Sequence, residues 1–218
     1  MGKDREHMKT TVKRKLKVWE IALLVGLAIF LISGALALQT QEQLSDKVVR
    51  LHVLANSDSE EDQALKLLVR DAILERAEDL LSKSGDREEA EGLLRGRLLE
   101  FEQVAAAVIA QAGYDYPVRV ELEDTQFPTK EYDGFTLPAG EYLALRVLIG
   151  EAKGQNWWCV VFPPLCTTAS VEVPASALEA GLSEEEVRLI TEENTGYVLK
   201  FKAVEWWQQA KQMWSEWT

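Results

Sequence analysis

Apolar and polar residues alternate from Val48 to Ala55, where Val49, Leu51, Val53 and Ala55 interleave with Arg50, His52 and Leu54. This period of two predicts a strand with one buried face and one mixed face. Asn56-Ser57-Asp58-Ser59 follows. Ser57 with Glu60 and Asp58 with Glu61 both have the spacing of a capping box, so a helix is expected to start there. Within it Leu65, Leu68, Val69, Ala72, Ile73, Ala77 and Leu80 share a face, with Asp62, Lys66, Arg70, Glu75 and Asp79 opposite. Ser84-Gly85-Asp86 separates it from a second helix over about 87–112, in which Leu94, Leu98, Phe101, Ala105, Val108 and Ala112 recur at steps of four and three. Two amphipathic helices in succession predict an αα-hairpin laid on a sheet.

The strands of that sheet come next. Val118, Val120 and Leu122 alternate with charged residues, and Asp133-Gly134 marks a hairpin turn. Residues 141–149 and 156–162 are apolar on both faces apart from Arg146, which predicts a central antiparallel pair ended by Pro163-Pro164. A short helix after Ser183 and a strand over 197–201 lead to a last helix, where Ala203, Trp207, Ala210, Trp214 and Trp217 line one face beside Trp206 and Met213. Such a stripe fits packing on the sheet, docking to a partner or lying at a membrane surface. Lys211 as its sole cation disfavours the last. The expected fold is α+β: an antiparallel sheet packed by an αα-hairpin and a C-terminal helix, after an N-terminal signal or transmembrane helix.

That leading helix follows from residues 21–38, which carry no charge and are long enough to span roughly 30 Å of hydrocarbon. Cations precede them, so the positive-inside rule places residues 1–20 in the cytoplasm and residues 48–218 outside it as one domain. Ala35-Leu36-Ala37 also has the small-x-small pattern of a signal cleavage site, and both cleaved signal and retained anchor give this topology. Residues 1–37 hold seven of the 24 Lys and Arg and three of the 36 Asp and Glu, which leaves the remainder at −16. So acidic a body repels phosphate backbones, and nucleic acid is excluded as a partner.

Candidate chemistry is sparse. His52 could act as a base oriented by Asn56 or Asp58, or pair with Cys159 as a nucleophile, which would make an extracytoplasmic hydrolase. The strand and capping positions of these residues favour structural duties instead, and one histidine beyond the apolar segment cannot build a His-rich metal site. There is no Gly-rich phosphate loop, nucleophile elbow or metal-ligand spacing, so no catalytic residue, metal or cofactor is expected. Cys159 and Cys166, seven positions apart, are open to a disulfide in an oxidising compartment or to two structural thiols. The residues offered for partner binding are His52, Asn56, Asp58, Trp206, Trp207 and Trp214.

At VVRLHVLANSDSEEDQALKLLVRDAILE (48–75), NWWCVVFPPLC (156–166) and KFKAVEWW (200–207) the chain strongly resembles the stage II sporulation protein R family of endospore-forming bacteria. The resemblance implies a signalling protein made in the forespore and exported into the space between the two membranes that separate it from the mother cell. There it would activate a membrane-embedded aspartic protease of the mother cell that processes pro-sigma-E. The resemblance implies no particular catalytic residues, so none are carried over.

Overall fold

The computed structural model describes residues 18–29, 31–32, 42–132, 134–165, 175, 177–178 and 181–191. The chain divides into two units, Met1–Thr40 and Gln41–Thr218. In the first, residues 18–29 are helical with exposed side chains, Trp19, Leu23 and Leu24 among them. Among the described residues no helix is long and apolar enough to cross a membrane. The expected export segment, 21–38, extends beyond them, and the expected strand over 197–201, the Trp-rich helix and Cys166 lie outside them.

In the second unit the chain runs β1 (Val49–Leu54), α1 (Glu60–Leu81), α2 (Arg87–Arg95), α3 (Leu98–Gln111), β2 (Val118–Phe127), β3 (Lys130–Tyr132), β4 (Phe135–Leu137), β5 (Gly140–Ile149), β6 (Asn156–Phe162) and α4 (Glu184–Thr191). The strands β2-β5-β1-β6 form a sheet in that order, and β3 pairs with β4 as a separate hairpin. One face of the sheet, with Leu51, Val53, Leu145, Val147 and Val161, packs against Leu65, Val69 and Ile73 of α1, Leu94 of α2 and Phe101 of α3. The other face, with Tyr142, Ala144 and Val160, is covered by Phe135 and Leu137 of the hairpin and Val187 and Ile190 of α4. Burial on both faces explains why β5 reads as an apolar run interrupted within it only by Arg146.

Three expectations are corrected. The sheet is mixed rather than antiparallel: β1 runs parallel to β5 and antiparallel to β6, and it separates the two strands expected to pair directly. Arg50 and His52 give β1 the look of a half-wet strand, but aromatic rings cover both, so β1 takes the centre. The second helix is two helices, because Gly96 closes α2 with its N–H on Gly92 O, and glycine is a poor helix former. The apolar rhythm persists through the break because both pieces face one core. On α1, Leu68 is 54% exposed, whereas Leu81 and the expected surface residue Lys66 are buried.

The caps are partly as expected. Ser183 and Glu186 form a reciprocal capping box on α4, with Glu186 N donating to Ser183 Oγ at 3.2 Å and Ser183 N to Glu186 Oε2 at 2.7 Å. On α1, however, the N-cap is Ser59, whose Oγ accepts from Asp62 N at 3.2 Å, since the side chains of Ser57 and Asp58 are engaged elsewhere. Ser59→Ala is expected to lower stability by about 1 kcal/mol, read as a shifted urea midpoint at unchanged m value.

Candidate functional site

The joint between β1 and α1 is the most densely bonded polar segment described. Because β5 and β6 flank β1, the connection 150–155 has to cross two strand spacings, roughly 10 Å, around the end of β1. The joint is the post it wraps. Asn56 Oδ1 accepts from Glu151 N at 2.9 Å, Asn56 O from Lys153 N at 3.3 Å, and Ala55 O from Gly154 N at 3.0 Å. Asp58 Oδ1 accepts from Gln155 N at 2.7 Å. Two glycines make this approach possible. A Cβ on Gly150, at φ +58°, would lie 2.2 Å from Asn56 Oδ1, and one on Gly154 would lie 2.1 Å from Ser57 O.

Asp62, buried in the first turn of α1, secures the inner side of the joint. Its Oδ2 accepts from Ser57 Oγ at 2.6 Å and from Asn56 Nδ2 at 2.8 Å. The Ser57 bond is the foremost cause that holds its pKa below the ordinary aspartate value, against the opposing effect of burial. Asn56 and Asp58, offered above for recognition, hold the chain's own backbone with their side-chain oxygens, and Asp58 is exposed as well.

His52 lies on the hairpin-facing side of β1, only 4% exposed, and so offers no surface to a partner. Its ring stacks on Trp158 at 3.8 Å between centroids, and Nε2 hydrogen-bonds Asn156 Oδ1 at 2.7 Å, which places the proton of the neutral ring on Nε2. Nδ1 is buried without a partner. Desolvation lowers its pKa to about 4, and the charges of Arg146 and Arg50 push the same way against the Asn156 bond. A histidine held neutral in this way titrates too low to serve as a base near pH 7.

Neither hydrolytic pairing is assembled. Cys159 aligns with Leu51, whereas Trp158 aligns with His52, so the sulfur and the imidazole lie on opposite faces of the sheet. Cys159 is moreover disulfide-bonded, and Cys166 lies outside the described residues. The Asp58 carboxylate accepts from the turn rather than from the ring. Trp206, Trp207 and Trp214 lie outside the described residues. No group of acidic, cysteine and histidine side chains among the described residues could hold a metal ion.

Sequence reasoning missed Arg50. It is wholly buried, with its guanidinium 4.1 Å from the Phe127 ring centroid and 5.0 Å from that of Tyr142, and Nη2 donates to Tyr132 Oη. Burial lowers its pKa, partly opposed by Tyr132 and Tyr142. An arginine at an alternating strand position reads as solvent-facing. The signal that could have exposed it was the aromatic content of 127–142, available to stack on a cation.

Residues 45–172 match the profile of the stage II sporulation protein R family, a span that holds every strand from β1 to β6. Over 152 residues the chain is 36% identical to stage II sporulation protein R of Bacillus subtilis (strain 168), which covers 68% of each chain. No solved structure matches it.

Proposed function

This chain belongs to the stage II sporulation protein R family, and from that premise we propose that it is an exported signal of sporulation that activates a membrane-embedded aspartic protease processing pro-sigma-E. The family match over the folded body carries this reading. The uncharged segment 21–38 behind a basic head supports export from the forespore into the intermembrane space, with the chain either released or held by that segment. The polar residues of the β1–α1 joint and of the sheet interior maintain structure, which favours a ligand over an enzyme.

As a ligand it would act by differential affinity. The chain stabilises the active state of the protease only as far as it binds that state more tightly than the inactive one, and each tenfold preference is worth about 1.4 kcal/mol. The test is to co-reconstitute the full chain, the protease and pro-sigma-E in vesicles. Saturable stimulation of cleavage is expected, with His52→Gln as effective as the parent once both are folded. A folded chain that leaves cleavage at its basal rate would sink the reading.

A further inference from the structure

A cleft of about 690 Å³ opens between α1, β3 and β6, lined among others by Lys66, Leu67, Lys130, Tyr132, Trp157 and Trp158. Its charge runs against that of the chain, for Glu131 is the one acid among the lining residues in a protein of net charge −12. Lys66 is 4% exposed, yet its Nζ donates to uncharged acceptors only, Gln63 Oε1 at 2.5 Å and Gln155 O at 3.0 Å. Desolvation lowers its pKa, and Asp58 is the acid that offsets this by its charge.

Behind Tyr132 lies a second buried cation, Arg50, whose Nε and Nη1 have no acceptor. Buried cations are ordinarily paired with carboxylates. Here neither has a carboxylate within hydrogen-bond reach: Lys66 lines the cleft, and Arg50 is bonded to the lining residue Tyr132. The Tyr132 oxygen accepts from Arg50, which leaves the hydroxyl hydrogen free to donate and makes it a stronger donor. Trp157 adds a buried Nε1–H without an acceptor. The cleft thus supplies donors and positive charge beside two indoles and Leu67.

We infer that this cleft receives an extended segment of a protein partner, with a carboxylate side chain held by Lys66, Lys130 and the Tyr132 hydroxyl and an apolar side chain against Trp157 and Trp158. Cleft volumes of this order suit a few residues of peptide, whereas a lone small anion would leave the indoles uncovered. The local reversal of charge selects an acidic occupant, while the net charge of −12 on each chain disfavours a second copy. The inference rests on the reading that the chain acts by binding a protein, and it names the docking place.

Two measurements separate the fate of the cleft from that of the reading. In the first, the full chain carries a photo-crosslinking benzoylphenylalanine at Leu67, or at Leu99, which is exposed on α3 and outside the cleft, and is co-reconstituted with the protease. Crosslinks to the protease from position 67 and not 99 are expected. Affinity should fall about tenfold in Lys130→Glu and recover in Lys130→Arg. Crosslinks from position 99 alone, an internal crosslink from 67 to residues 192–218, or unchanged affinity in Lys130→Glu would overturn the inference while leaving activation by some other face intact.

In the second, acetyl-Val-Glu-Val-Glu-Val-amide and its Gln counterpart are titrated against the full chain in detergent, followed by the indole N–H resonance of Trp157, assigned with Trp157→Phe. Saturable binding of the Glu peptide, about tenfold tighter than the Gln peptide, is expected. Equal binding or none overturns the cleft assignment. If this succeeds while the protease fails to bind the chain, the cleft stands and the choice of partner falls.

Discussion

Asp62→Ala is expected to remove about 4 kcal/mol of folding stability, the largest loss foreseen for a polar position in this fold. The carboxylate is the shared acceptor of Ser57 Oγ and Asn56 Nδ2, so its deletion leaves two donors without an acceptor beside a buried helix turn. A hydrogen bond to a charged group contributes about 1.5–3 kcal/mol, and a buried donor left unmet costs about 1–3 kcal/mol. The loss should spread. Asn56 would no longer be clamped from below, and the turn 150–155 that hangs on its Oδ1 should exchange its amide hydrogens faster than the strands it joins. Asp62→Asn, which keeps one acceptor oxygen, should retain more than half of the stability. Urea unfolding with amide exchange reads both effects, and an Asp62→Ala protein as stable as the parent would show that the joint is not held this way.

The second large effect is a pH dependence centred on His52. Its folded pKa, about 4, lies below the unfolded value of 6.5. Between these values the unfolded chain takes up a proton that the folded chain refuses, so the contribution to stability is fully present above pH 6.5 and is lost as pH falls towards 4. The shift corresponds to about 3 kcal/mol over that window. His52→Phe keeps the stack on Trp158 and removes the titration, so the slope between pH 6.5 and 4 should flatten while acid unfolding at lower pH remains. Asp62 enters only below that range, since its depressed pKa is lost under the ordinary carboxyl value. Identical slopes for parent and variant would show that the imidazole is not held neutral.

The periodic elements were legible in the sequence because each signal is local: the rhythm of α1, the alternation of β2 and the Ser183 cap depend on neighbours within a few residues. The order of strands was not. Arg50 and His52 look wet on a strand pattern, and only the arrival of Phe127, Tyr132, Tyr142 and Trp158 from later in the chain makes β1 central. The same holds for the candidate site. Asn56 and Asp58 read as helix-capping residues, but Ser59 is the cap, and their own partners are amides of residues 151 to 155, nearly a hundred positions on, which nothing in the local pattern names. Lys66 was placed on the wet side of α1 because helical periodicity does not show that β6 begins beside it.

The loop that wraps the end of β1 also sets the order in which the body can be completed. Arg50 pairs with Ala144 on one side and Val160 on the other, so the first strand to leave a ribosome or a translocation channel has no neighbour until almost the whole sheet has followed. Such long loop closures make folding slow and late. Until residues 140–149 arrive neither edge of β1 is covered, and until residues 156–162 follow one edge stays open. Completion then waits for β5 and β6 to close on β1 from both flanks and for the turn between them to fasten over its end.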